Sequence, residues 1–145
     1  ICHELFEPDL IFCHLKVKDK KSLLSMLCNK LVDKGYVTKK YFKTVMEREN
    51  MTPTSIGNGV AIPHGDTQEV NTAKIVIATL DKPILWDSKY VDVVFLLVVK
   101  FSTDFEIRRT QQFYKQYIKL VDGDEQVSIL RGFTSNIDFY RFLIQ

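Results

Sequence analysis

Val93-Val94-Phe95-Leu96-Leu97-Val98-Val99 is an unbroken apolar run of seven residues, and it restricts the fold more than any other stretch of the chain. It is far short of the roughly 20 apolar residues that a membrane helix needs. Its β-branched and aromatic content suits a strand without a polar face. Such a strand must be covered on both sides. The chain therefore needs a three-layer α/β arrangement: a mixed sheet of about five strands with helices on each face.

The rest of the pattern supplies those parts. Leu10 to Val17 alternates, with Ile11, Cys13, Leu15 and Val17 on one face, and reads as a strand. After Asp19, an N-cap, Leu24, Leu27, Cys28 and Leu31 recur at helical spacing until Gly35 supplies the stop. Thr38 is read as the cap of a second helix carrying Tyr41, Phe42, Val45 and Met46, with Arg48 in or just after its last turn. A short strand Val60–Ile62 follows, then a strand over 74–80, an extended piece at 83–86 and the central strand over 91–99. The short connection between Leu80 and Ile84 is expected to join an antiparallel pair. Ser102-Thr103-Asp104 caps a long helix with Tyr114, Tyr117, Ile118 and Val121 on its inner side. Asp122-Gly123-Asp124 breaks it before a short helix with Val127, Ile129 and Leu130. Ser135 and Asp138 form the capping pattern of the last one, which turns Tyr140, Leu143 and Ile144 inward.

At 145 residues the chain is read as a single domain, 1–145, able to bury about two-thirds of its unfolded surface. It opens on Ile1 rather than methionine and is expected to be a piece of something longer. A net charge of +2 without a basic block gives no sign of nucleic-acid contact. Cys2, Cys13 and Cys28 lack CxxC spacing and are odd in number, so they read as buried free thiols in a reducing cytoplasm rather than a disulfide or zinc framework.

The chemistry concentrates at Thr54-Ser55-Ile56-Gly57-Asn58-Gly59-Val60-Ala61-Ile62-Pro63-His64-Gly65. Pro63 has no N–H for a ladder, so the strand is expected to stop there and present the His64 imidazole. Gly65 lets the backbone turn away without a Cβ clash. A nucleophilic imidazole needs access, one nitrogen held by a hydrogen bond and counter-charge for incoming phosphoryl oxygens. Arg48 can supply a bidentate guanidinium. Thr54 and Ser55 offer hydroxyls, and the backbone around Gly57 and Gly59 offers N–H groups in a nest. Asp66 is a candidate for orienting the other imidazole nitrogen, with a solvated loop carboxylate as the equal alternative. His3 and His14 stand far from His64 in sequence, and no metal site is expected. His14 reads as a strand-face residue. Exchange between histidines is positioning and electrostatics, so no cofactor is expected.

With these residues in view, the chain resembles the IIA domain of the mannitol/fructose class (type 2) of the bacterial phosphoenolpyruvate-dependent sugar phosphotransferase system. The resemblance is carried by Gly57-Asn58-Gly59-Val60-Ala61-Ile62-Pro63-His64-Gly65, by Arg48-Glu49 and by Thr54 between them. Leu5-Phe6, Leu10-Ile11-Phe12, Lys34-Gly35-Tyr36-Val37 and Phe95-Leu96-Leu97 extend it over nearly the whole chain. It implies that His64 is the phosphoacceptor and that Arg48 helps hold the phosphate. It also implies the histidine phosphocarrier protein as donor, a IIB domain or other domains of the same protein as further partners, a cytoplasmic location and no membrane span.

One departure matters. Transport-type members of this class carry a second histidine at the start of the long helix after the central strand, whereas no histidine follows His64 here. The matching stretch offers Arg109, Thr110 or Gln111 instead. Type 2 IIA domains also form the C-terminal module of antiterminator and operon-activator regulators, to which the opening Glu4-Leu5-Phe6-Glu7-Pro8-Asp9-Leu10 is similar. The reading is thus a regulatory phosphoacceptor in a sugar-operon transcription regulator. A IIA transport component passing phosphate to IIB is the alternative. A non-catalytic interaction module on this fold is disfavoured by the intact Pro-His-Gly corner.

Overall fold

A computed structural model describes residues 3–145. Its centre is a five-stranded mixed sheet of order β1-β4-β5-β3-β2, made of β1 (Ile11–Leu15), β2 (Ser55–Gly57), β3 (Val60–Ala61), β4 (Lys74–Trp86) and β5 (Lys89–Val98). β1 runs parallel to β4 and β3 parallel to β5, while the β4–β5 and β2–β3 pairs are antiparallel. Helices α1 (Lys20–Asp33) and α2 (Tyr41–Met51) cover one face, and α3 (Asp104–Leu120), α4 (Gly123–Gly132) and α5 (Asn136–Ile144) cover the other.

The apolar run explains this arrangement residue by residue. Every side chain from Val93 to Val98 is at most 2% exposed, and alternate ones go to opposite layers. Val94, Leu96 and Val98 pack with Leu24, Leu27, Leu31, Tyr41 and Val45. Val93, Phe95 and Leu97 pack with Phe113, Tyr117, Val127, Leu130 and Phe139. The Phe95 and Tyr117 rings meet edge-on at 4.9 Å, an arrangement that aromatic quadrupoles favour.

The structure redraws several expected elements. The strands at 74–80 and 83–86 are one strand, β4, whose pairing with β5 jumps from Thr79↔Val93 to Ile84↔Val91. The extra residues Asp81, Lys82 and Pro83 bulge out exposed, so Pro83 sits where no ladder N–H is needed. The antiparallel turn therefore falls after Trp86, at Asp87 with φ 63°, and not between Leu80 and Ile84. On α3 the buried face is Thr110, Phe113 and Tyr117, whereas Tyr114 and Ile118 are 40% and 63% exposed. Asp19 caps α1 by accepting from Ser22 N at 2.8 Å, and Thr103 and Glu106 form a full capping box on α3. Lys40, not Thr38, is the residue before α2, although the Thr38 hydroxyl accepts from Lys40 N at 3.2 Å. Cys28 is buried and Cys13 half-buried, both free; Cys2 lies outside the described residues.

A small ionic knot pins the N-terminal segment. The Glu7 carboxylate takes Lys74 Nζ at 2.9 Å, Lys34 Nζ at 3.2 Å and the Tyr36 hydroxyl. Burial alone would raise its pKa, but the Tyr36, Lys74 and Lys34 hydrogen bonds outweigh that and hold it below the ordinary value. A carboxylate with a lowered folded-state pKa stabilises the fold above its unfolded value and loses that contribution as pH falls through the folded one. Glu7→Gln should therefore lower the unfolding free energy by about 1 kcal/mol at pH 7. The deficit should shrink below the ordinary carboxylate value of 4.5; equal midpoints in urea melts at pH 7 would remove the knot from the account.

Candidate functional site

His64 stands past the C-terminal end of β3, where the chain keeps contact with β5 although Pro63 has no donor. Pro63 O accepts from Leu97 N at 3.0 Å, and His64 pairs with Leu97 as an isolated parallel bridge. The parallel contact thus runs through the proline by its carbonyl, beyond the point at which the sequence predicts a stop. The imidazole is half-buried. Its Nδ1 lies 3.0 Å from Ile62 O, and because a carbonyl can only accept, Nδ1 carries the proton. In the neutral ring Nε2 then holds the free lone pair.

Helix α2 braces both flanks of this corner. Its first half holds the segment on the C-terminal side of His64: Asp66 N donates to Thr44 Oγ1 at 3.0 Å, and Thr44 Oγ1 donates to Tyr41 O at 2.7 Å. A Cβ on Gly65 would stand 2.6 Å from Thr44 Oγ1 and 2.9 Å from both Tyr41 Cε1 and Val45 Cγ2. Close approach to α2, rather than a positive φ, is what requires glycine there. The second half of α2 holds the segment leading into β2. Arg48, in the last turn as expected, donates from Nη1 to Thr52 O at 2.7 Å. Glu49 accepts from Thr54 N at 3.2 Å and from the Thr54 hydroxyl. The strand pairing then joins the two flanks, since Ile62 N donates to Thr54 O at 3.1 Å.

Not all predicted site residues meet here. Thr54 and Ser55 lie along the segment that pairs with the His64 side of β3, and Arg48 reaches the lead-in to that segment from α2 through Thr52 O, but the Thr54 hydroxyl is taken by Glu49 and the residue is 5% exposed. Gly57 and Gly59 are the correction. Gly57 ends β2 and Gly59 is in the turn of the β2–β3 hairpin, whose central residues Asn58 and Gly59 have φ 55° and 78°, the paired positive values of a type I′ turn. His64 lies five residue steps beyond Gly59 along extended chain, about 16 Å at the usual rise. The glycines therefore serve the turn and do not form a nest around the imidazole. That tip is tied down at the far end of the sheet, where Arg131 Nη2 donates to Asn58 O at 2.6 Å and its Nε to Asp92 at 2.9 Å. Asp66 is corrected too. Its carboxylate accepts from Gln68 N at 2.9 Å as the cap of a short 3-10 turn, and Ile62 O orients the ring instead. His14 is exposed, with φ 54° and its Nε2 2.7 Å from Arg131 O, again at the far end.

The residues of α3 offered in place of a second histidine sit on its second turn. Thr110 is buried, its hydroxyl donating to Glu106 O at 2.9 Å, and the Arg109 guanidinium stacks over Phe105 at 5.2 Å. The first turn itself holds Asp104, Phe105, Glu106 and Ile107. Sequence reasoning missed Glu49 and Thr44. The Arg-Glu pair hinted at the first, because a carboxylate on the inner side of an amphipathic helix needs a reason to be there; nothing marked the second.

The fold and this corner define a type 2 IIA domain. Residues 4–145 match the family described as "Phosphoenolpyruvate-dependent sugar phosphotransferase system, EIIA 2", and the chain belongs to that family. It is 32% identical over 136 residues to the transcriptional regulator ManR of Bacillus subtilis, a match covering 94% of this chain and 20% of that protein. The chain thus spans about a fifth of the length of that regulator. It is 35% identical over 95 residues to the mannitol-specific phosphotransferase enzyme IIA component of Staphylococcus aureus, covering 63% of this chain and 65% of that one. Among solved structures, the IIA chain in the complex of enzyme IIA and phosphorylated enzyme IIB for mannitol from Escherichia coli matches with a TM-score of 0.78. It covers 95% of each chain at 20% identity, a likeness of fold. No helix among the described residues is long and apolar enough to cross a membrane.

Proposed function

We propose that His64 accepts a phosphoryl group on Nε2 from the phosphohistidine of the phosphocarrier protein in the cytoplasm, and that the modification acts as a signal in a sugar-responsive transcription regulator. The observation that carries this reading is the hydrogen bond from Nδ1 to Ile62 O, which leaves the opposite nitrogen as the nucleophile. The Nε2 lone pair forms the new N–P bond as the donor's N–P bond breaks, and the donor imidazole keeps the released electron pair. The Nδ1 proton stays hydrogen-bonded to the Ile62 carbonyl, which supports the positive charge of the phosphorylated ring. Arg48 supplies charge for the equatorial oxygens at the cost of its bond to Thr52 O.

Two observations favour a signal over a relay. The chain has no histidine after His64, and the regulator relative matches 94% of it. A phosphohistidine adds roughly two negative charges, enough to make or break a charged contact with another domain. The second reading, transport, is supported by the mannitol IIA relative.

The test is to incubate the domain with phosphoenolpyruvate, enzyme I and the phosphocarrier, follow the mass gain of one phosphoryl group, and then add a mannitol-class IIB. The wild type should become phosphorylated and keep its label; rapid loss to IIB would favour the transport reading. In the same assay Arg48→Ala should be slower by about tenfold to a hundredfold, with a melting point within a few degrees of wild type. An unchanged rate would remove Arg48 from the site.

A further inference from the structure

Glu49 has no part in the transfer just described, yet it is the most enclosed carboxylate near the corner. It is 3% exposed, and no ion pair to it occurs among the described residues. Trp86 Nε1 donates to its two oxygens at 3.2 and 3.3 Å, Thr54 N donates at 3.2 Å, and the Thr54 hydroxyl donates as well. A carboxylate buried without a cation is unfavourable unless donors close around it. Here they come from two other segments, the lead-in to β2 and the end of β4.

From that carboxylate a path of hydrogen bonds, joined through the backbone of Thr54 and Ile62, reaches the imidazole. Glu49 holds Thr54, Thr54 O receives Ile62 N at 3.1 Å, and Ile62 O receives His64 Nδ1 at 3.0 Å. The neighbouring Arg48 grips Thr52 O in the same loop at 2.7 Å. We propose that Glu49 is a positioning residue for His64: by fixing Thr54 it fixes the Ile62 carbonyl, which keeps the proton on Nδ1 and the lone pair on Nε2. This rests on His64 being the acceptor. Outer partners that orient a reactive ring characteristically matter by tenfold to a hundredfold, because a small misplacement spoils in-line attack. Glutamine cannot substitute for the carboxylate. It offers one acceptor oxygen, and its amide would turn a donor toward Thr54 or Trp86.

The experiment compares wild type, Glu49→Gln and Thr54→Val in phosphorylation by the phosphocarrier, with imidazole 15N NMR of the unphosphorylated domain. Both variants should lose about tenfold or more in kcat at little change in KM for the carrier. The His64 ring should shift from a pure Nδ1–H tautomer to a mixture. Val127→Ala, a core substitution in α4 on the other face of the sheet, should lower the melting point and leave both the rate and the tautomer as in wild type. Thr54→Val leaves Glu49 in place and keeps the comparison standing if Glu49→Gln does not fold. Wild-type rates and an unchanged tautomer in the folded variants would overturn the inference. Failure of the wild type itself to accept phosphate would instead overturn the reading of His64.

Discussion

Replacing His64 by alanine will abolish phosphorylation by the phosphocarrier while the domain stays folded. Among the described residues the side chain makes one hydrogen bond, to the carbonyl two residues before it, and the residue is only half-buried. Its removal should therefore change stability by less than about 1 kcal/mol. The expected loss of transfer is complete, because the described residues place His14 at the opposite end of the sheet, with its Nε2 against Arg131 O. Mass spectrometry of both proteins after incubation with the donor system checks this. Label persisting in the alanine variant would show that another residue is the acceptor.

The second large effect is expected at Gly65. Three atoms of α2 lie 2.6 to 2.9 Å from where a Cβ would be, inside van der Waals contact. Two of them belong to Tyr41 and Val45, both 0% exposed, so they have little room to yield. Gly65→Ala should cost about 2 kcal/mol as overpacking and lower the melting point by roughly 5 °C. Because relief comes most readily by lifting residues 64–66 off α2, phosphorylation should slow as well. A melting curve that superimposes on wild type would mean that α2 does not hold the corner.

The layers of the fold were legible because their signal is local. An apolar run with no polar face can only be a covered strand, and Asp19, Thr103 and Ser135 announce helix starts through short-range side-chain bonds. The strand pairing was not legible to the same degree. Pro83 and its exposed neighbours look like the end of a strand, but β4 continues because three residues can bulge out and let Ile84 and Trp86 return to the core. On α3 the inner face was misjudged by one position. Phe113 and Tyr117 face the sheet and Ile118 does not, since both Tyr114 and Ile118 fit the same 3.6-residue spacing.

At the site, Pro-His-Gly marked the corner that carries His64, although the contact with β5 runs on through the Pro63 carbonyl instead of stopping there. The glycines did not, since an Asn-Gly pair signals a type I′ hairpin as strongly as a phosphate nest, and only the antiparallel pairing of β2 with β3 decides between them. Asp66 and Glu49 exchanged importance for a similar reason. The carboxylate next to the histidine in sequence turns out to cap a 3-10 turn. The one that reaches the imidazole through Thr54 and Ile62 lies on a helix fifteen residues earlier, a link that the folding of the β2–β3 hairpin against the end of α2 creates.

The most direct measurement is 15N–31P correlation NMR of the phosphorylated, histidine-labelled domain. A phosphorus coupled to Nε2 of His64, with Nδ1 still protonated, is the predicted result. Phosphorus on Nδ1 of His64, or on either nitrogen of His3 or His14, would contradict the account.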